Sequence, residues 1–443
     1  MPSSKKKLLD YDINNVDVMK GKIDKMLKEL FPITRSITGD GVRQTYKILN
    51  KIAKFKIYEI PTGKKCYNWI VPKEWVIRDA YVEDDKGKRI IDFKKNNLHV
   101  LNYSTPVNDT VSYAKLTKHL YTLPQMPEAV PYRTSYYKKN WGFCISYDQF
   151  KKLDKKAKYK VYIDAKHKKG NLTLGDYRHK GISKEEYLIS TYSCHPSLAN
   201  DNLSGMVLWI FLLKILQSLK TRHNYKFCIW PETIGAMVYL STHEEEIKRV
   251  NGGFVVATVG GTENFGYKKT FLGDGRIDRA VRRAFRKFDT KLLLYQFEPI
   301  GSDERQLSSP GFRIPTGTIT KGKYGEYPYY HTSLDNLDYV KAENIAKTLK
   351  LYLASLQELE ANVTLKSNLP FCEPNLGERG LYPATGGAIN SKNAANKDLD
   401  IMRWVLFYAD GDNSALDISE KTGFSAGDVN RVANVLIANK VIQ

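Results

Sequence analysis

Tyr192-Ser-Cys-His195-Pro-Ser-Leu-Ala-Asn-Asp201-Asn-Leu-Ser-Gly205 places an imidazole and a carboxylate in one loop between two apolar elements. Before it runs Glu186-Tyr-Leu-Ile-Ser-Thr191, a short β-like segment, and after it Met206-Val-Leu-Trp-Ile-Phe-Leu-Leu-Lys-Ile-Leu216, an apolar stretch of helical length. The loop therefore lies at the carboxyl end of a strand and the start of a helix, where open α/β sheets place their ligands. It reads as half of a metal site.

Two further segments can close such a site. Tyr225-Lys-Phe-Cys-Ile-Trp-Pro-Glu232 is a strand ending in an acid, and Tyr329-Tyr-His331-Thr-Ser-Leu-Asp335 sets a histidine in a polar loop. Imidazole and carboxylate are ligands zinc accepts, and a catalytic zinc needs three protein ligands and one open position. His195, Asp201 and His331 would supply the three. Glu232 is then free to act as general base on a metal-activated water. The plainer alternatives are a core histidine at 195, a helix N-cap within Asn200-Asp201-Asn202, aromatic packing around His331 and a salt bridge at Glu232. Asp335 is expected to accept the second N–H of His331.

His195 followed by Ala-Asn-Asp-Asn-x-Ser-Gly, a strand ending in Glu232, and His331-Thr-x-x-Asp335 together resemble the co-catalytic zinc aminopeptidases of the M28 type. Pro231-Glu-Thr-Ile-Gly235, Gly301-Ser-Asp-Glu-Arg-Gln306, Pro131-Tyr-Arg-Thr-Ser-Tyr-Tyr137 and Trp141-Gly-Phe-Cys144 are similar to an uncharacterised bacterial, aminopeptidase-like subgroup. The resemblance covers nearly the whole chain. It implies a phosphorylase/hydrolase-like α/β zinc-peptidase sandwich, a β-rich (PA-like) insertion and a C-terminal winged helix. Its catalytic domain would be 1–55 and 149–365, its insertion 56–148 and its winged-helix-like domain 366–443.

The chain also departs from that family. Two zincs are usual there, bridged by the aspartate that Asp201 matches. Thr233 stands where a second glutamate is expected, Thr258 where another metal-binding aspartate is, and the His-x-Asp pair is His195-Pro-Ser197. With two carboxylate ligands missing, one zinc is expected. Asp303, Glu304 and Arg305 form a charged Gly-Ser turn, read either as a solvated loop or as a substitute ligand and a clamp on the substrate. Arg133, Tyr136 and Tyr137 are candidates for the cleft wall.

A chain of 443 residues that is 42% hydrophobic has material for two or three domains. No apolar run reaches the ~20 residues of a membrane span, and the N-terminal lysines precede no apolar signal core, so a cytoplasmic protein is expected. Five cysteines without a Cys-x-x-Cys pair read as reduced core residues. Cys194 could be a nucleophile or soft ligand, but neighbours on an extended strand face opposite ways. The balance of 69 Lys and Arg against 48 Asp and Glu gives +21, which invites a nucleic-acid partner. Yet the basic residues are scattered through the catalytic body, and from Lys366 onward eight basic residues face nine acidic ones. A solvated basic surface is the favoured reading.

The spacing of Met19, Ile23, Met26, Leu27 and Leu30 predicts a helix, and Tyr46, Ile48, Leu49 and Ile52 a second. Short strands are expected at Tyr67–Pro72, Trp75–Glu83 and Leu98–Tyr103, then alternating strands and helices from Lys160–Asp164 onward. A Pro- and Gly-rich loop, 370–387, precedes three short helices in a helix-turn-helix pattern. The third of these offers only Arg431 as a base before Lys440, so a protein-contact or oligomerisation role is favoured over DNA reading.

The expected activity is zinc-dependent hydrolysis of a peptide or small-molecule amide, without nucleic-acid or membrane partners. The alternatives are a peptidase-fold scaffold that binds without turnover, a DNA-binding regulator, and another one-zinc chemistry such as cyclisation of an N-terminal glutamine.

Overall fold

The computed structural model describes residues 5–288, 290–382 and 394–443, with side chains in the last segment from residue 397. It divides into two compact units, Met1–Ser355 and Leu356–Gln443.

The first unit is built on an eight-stranded mixed sheet. Its strands are β1 (Lys56–Pro61), β2 (Asn171–His179), β3 (Glu186–Tyr192), β4 (Asn224–Trp230), β5 (Gly252–Val255), β6 (Phe265–Lys268), β7 (Leu292–Tyr295) and β8 (Thr316–Lys321), in the order β1-β2-β4-β3-β5-β8-β6-β7. The four central strands, β4, β3, β5 and β8, run parallel. Every residue of β3, β4 and β8 is buried. Successive side chains point to opposite faces, so both faces of the sheet are covered, as parallel strands require.

Among the helices are α1 (Lys20–Leu30), α2 (Asp40–Ile52), α3 (Gly205–Gln217) and α4 (Ile234–Thr242). The stripe of α1 buries Ile23, Met26, Leu27 and Leu30, and α2 buries Tyr46 and Leu49, so both predicted helices form with their apolar faces inward. Helix α3 is apolar all round, and only Lys214 and Gln217 escape burial. Ala199–Gln217 is the one helical stretch, among the described residues, long and apolar enough to cross a membrane, and 94% of its apolar window is interior.

A second sheet of four strands, ordered Arg89–Asp92, Glu74–Glu83, Lys158–Lys168 and Val107–Ser112, is antiparallel. Three sequence expectations are corrected here. Lys160–Asp164 belongs to this small sheet and not to the large one: Lys158–Lys168 alternates exposed and buried residues, the mark of a strand wet on one face. Conversely Lys56–Pro61, expected at the start of the insertion, pairs with β2 as the edge of the large sheet. The strand expected over Leu98–Tyr103 is a 3-10 turn at Asn97–His99 followed by isolated bridges at Val100 and Asn102.

The second unit contains the helices Ala394–Tyr408, Ala415–Thr422 and Ala426–Ala438 and a two-stranded ribbon, Thr364–Lys366 with Asp410–Ser414. Ser414 and Asp417 cap the middle helix reciprocally, and Gly423 ends it at φ +80°, a left-handed turn that glycine adopts without steric cost. Ile401, Val405, Ile418, Val429, Val432 and Leu436 form its core. Of the Pro- and Gly-rich loop expected over 370–387, positions 383–387 lie outside the described residues.

Candidate metal centre

The carboxyl ends of the four central strands open towards one cleft. His195 follows β3, Glu232 follows β4, Thr258 lies beyond β5, and His331 comes from the loop after β8. The cleft has a volume of about 580 Å³, and its walls include Cys194, His195, Glu232, Thr233, Arg305 and His331.

The Asn200-Asp201-Asn202 tripeptide brings Asp201 into place. Asn202 Nδ2 donates to Thr191 Oγ1 at 3.0 Å and Tyr192 O at 3.1 Å, while its Oδ1 accepts from Thr258 N at 3.2 Å. Asn200 Nδ2 donates to Lys321 O at 3.1 Å, and its Oδ1 accepts from Gly260 N at 2.8 Å. The two asparagines thus tie together the ends of β3, β5 and β8, and neither caps α3, whose N-cap has no side-chain bond. The N-cap alternative is thereby corrected. Gly205 is required by close approach, since a Cβ there would sit 2.6 Å from Val256 O.

Asp201, His195 and His331 face one another, with potential ligand atoms all within 4.8 Å. His331 Nε2 lies 3.0 Å from Asp201 Oδ2, and His195 Nδ1 lies 3.9 Å from Asp201 Oδ1. Both nitrogens are buried and neither has a hydrogen-bond partner. Buried polar atoms are normally paired, and leaving two unpaired costs about 1–3 kcal/mol each. Two orphaned imidazole nitrogens beside a carboxylate are the donor set a divalent cation of zinc type satisfies, so the residues fit the metal that the sequence implies.

Electrostatics agree. Burial pushes His195 down to about 4, which keeps its ring neutral and able to ligate. Burial alone would raise Asp201, but His195, His331 and the Tyr192 hydroxyl, which donates to its Oδ1 at 2.5 Å, hold it down at about 2. Tyr132 sits between the histidines, its ring 5.2 Å from each and edge-on to both. Its backbone N–H donates to His331 O at 2.7 Å, so the Pro131–Tyr137 motif buttresses the second histidine. His331 has φ +56°, a left-handed backbone rare outside glycine and typical of functional sites.

Glu232 stands across the cleft with Oε2 3.8 Å from His195 Nε2. Burial, then the nearby Asp303 and Asp201, pushes its carboxyl well above the ordinary range. Asp303 is itself buried and pushed up to about 6 by that burial. It accepts from Trp230 Nε1 and Thr233 N, each at 2.8 Å. The charged turn is therefore not a solvated loop at Asp303 or at the buried Glu304, and only Arg305 faces outward.

Other expectations change. Asp335 does not contact His331: its oxygens accept from Asn200 N at 2.6 Å, Asp201 N at 3.0 Å and Tyr327 Oη at 2.8 Å, so it shapes the Asp201 loop. Arg133 is exposed and lies off the cleft wall, whereas Tyr136 and Tyr137 line it. Cys194 and His195 open onto the same cleft, because β3 ends at Tyr192 and the strand alternation stops there. Ser197, in the place of the family aspartate, donates to Phe31 O at 2.7 Å. Sequence reasoning missed Arg35, a wholly buried guanidinium whose Nε donates to His195 O at 2.7 Å, and also Tyr132 and Trp69 on the cleft wall. Arg35 stands in Ile33-Thr-Arg-Ser-Ile37, where nothing in the local pattern marks it.

Residues 24–362 match the family described as Domain of unknown function (DUF4910). The chain belongs to the DUF4910 family. Residues 363–443 match a winged helix-turn-helix, the fold of the C-terminal unit. Among relatives, a Clostridium acetobutylicum protein described as "Putative polysaccharide biosynthesis protein with aminopeptidase-like domain" is 43% identical over 424 residues, 96% of each chain. A crystal structure from that organism, described as a "putative peptidase", has a TM-score of 0.80 at 41% identity and covers 97% of this chain and 98% of its own. A zinc aminopeptidase from Bacillus subtilis has a TM-score of 0.56 at 15% identity, covering 78% of this chain and 95% of its own. That last likeness is one of fold. This DUF4910 chain is thus a mixed α/β protein of peptidase-like architecture with a C-terminal winged helix.

Proposed function

We propose that this DUF4910 protein is a zinc-dependent hydrolase of a peptide or small-molecule amide bond, of aminopeptidase type, with one ion held by His195, Asp201 and His331. The observation that carries the reading is the pair of unpartnered buried imidazole nitrogens facing Asp201 in an open cleft. When bound, zinc supplies Lewis acidity that polarises a carbonyl and acidifies water. Glu232 takes the proton from the attacking water and delivers it to the departing nitrogen. Its carboxyl, raised by burial and by the nearby Asp303 and Asp201, faces the cleft in which that proton moves. Asp303 fixes the Glu232–Thr233 turn through the Thr233 N–H, Asp335 and Arg35 hold the loops bearing Asp201 and His195, and Arg305 and Tyr137 contact the substrate.

The name of the Clostridium relative points the substrate towards polysaccharide biosynthesis. A cytoplasmic setting accords with five cysteines that are all free thiols. For the C-terminal unit we assign a protein or self-association contact: Phe407 is 72% exposed, and Arg431, the base its third helix offers, is engaged by Asp398 at 2.7 Å. A catalytically silent scaffold is the second reading, favoured by Thr233 and Thr258 in place of the family carboxylates.

Metal analysis with an aminoacyl and acyl-amide substrate panel tests the proposal. One zinc per chain is expected, and hydrolysis that stops on chelation and returns with zinc. Stoichiometric zinc without turnover on the panel would favour the scaffold.

A further inference from the structure

Beside the cleft lies a second cavity of about 630 Å³ that shares Tyr136 and Tyr137 with it as a common wall. Lys73, Lys138, Lys139, Lys166 and Lys168 line it, and no carboxylate does. Four of these five have no ion-pair partner among the described residues; Lys168 alone reaches one, Glu74 at 3.4 Å. Lys166 and Lys168, two apart on one strand, project from the same face and add to each other's field. Lys73 and Lys139 arrive from separate loops, yet both bear on His167: burial and then these two charges lower that ring below its ordinary value, against the opposing backbone bond to Tyr103 O. Like charges gathered from three segments repel one another, and a concave surface of one sign focuses its field onto an incoming counter-ion.

We propose that this lysine pocket is an anion subsite continuous with the cleft, receiving a phosphate or diphosphate group carried by the molecule whose amide is presented to His195, Asp201 and His331. The claim rests on the hydrolase reading for the amide, but not for the anion. Four ammonium groups without an ion-pair partner, and a fifth shared with Glu74, suit a multiply charged oxyanion better than a single carboxylate, because each lysine offers a point charge with three rotatable donors. The dimensions accord with a small ligand group: pockets of this volume enclose a compact molecule. Five of the lysines that read along the sequence as a solvated surface thus share one location.

Calorimetric titration of the full-length protein with inorganic pyrophosphate tests this, after metal is stripped so that pyrophosphate cannot act as a chelator. Lys139→Met with Lys166→Met should weaken binding at least ~10-fold, while the charge-matched pair Lys47→Met and Lys51→Met on exposed positions of α2 should not. Both pairs remove two surface charges and no packed side chain. Equal affinities in the two double variants, or no pyrophosphate binding to the parent protein, would overturn the subsite. So would a short duplex DNA that binds through Lys139 and Lys166 more tightly than pyrophosphate, since the surface would then be a nucleic-acid groove. Because this titration needs no catalysis, a protein that binds pyrophosphate but hydrolyses no amide would overturn the proposed activity and leave the subsite standing.

Discussion

On one wall of the cleft, His195 and His331 keep buried nitrogens without hydrogen bonds beside Asp201; Thr233 on the other wall, and Thr258 buried at the end of β5, have their polar atoms engaged inside the protein. Thr258 Oγ1 bonds Thr320 Oγ1, and Thr233 offers its N–H to Asp303 and its Oγ1 to Arg305 at 3.3 Å. Both threonines hold left-handed backbones, φ +50° and +65°, which β-branched residues rarely adopt. The first wall is unsatisfied without a cation, and the second is satisfied without one. That asymmetry is the physical case for a single ion.

The comparison breaks most sharply if the first wall is removed. His331→Ala should abolish stoichiometric zinc, from about one ion per chain to none by elemental analysis, because two donors cannot hold a catalytic zinc. Retained zinc would mean that Cys194 or Glu232 ligates, since both have ligand atoms close to His195. Glu232→Gln should leave that zinc in place and lower turnover at least ~100-fold, separating proton transfer from metal binding. Loss of zinc in this variant would make Glu232 a ligand. The second wall is sharpened by addition. Thr233→Glu with Thr258→Asp should raise the metal content from one towards two ions per chain, because it puts carboxylates at two strand ends that now carry hydroxyls. A stoichiometry that stays at one would show that strand-end geometry, and not only donor chemistry, had been lost.

Much of this was legible along the chain. His195, Asp201, Glu232 and His331 were each nameable because a strand end followed by a ligand-type side chain is a local pattern, and the sheet carries those ends to one place. Asp335 bonds the Asp201 loop and Tyr327 and not His331, the partner its spacing suggests. Its distance in sequence from His331 is short, whereas its bonds to Asn200 and Asp201 cross more than 130 residues. Cys194 was turned away from the cleft by assuming that strand alternation persists beyond Tyr192. The strand Lys158–Lys168 was assigned to the wrong sheet although its alternating burial was there to be read, because it sits among segments of the larger one.

Apolar periodicity and loop chemistry by themselves determined the α/β class, the helix positions in the first fifty residues, the terminal three-helix unit and the candidate residues His195, Asp201, Glu232 and His331, since each is a property of neighbours along the backbone. Only the folded molecule decided which donors are left unpaired, that Arg35 and Tyr132 brace the histidines, and that lysines from positions 73, 139 and 166 gather around one cavity. Burial and charge convergence depend on which distant segments pack together, and no local pattern carries that information.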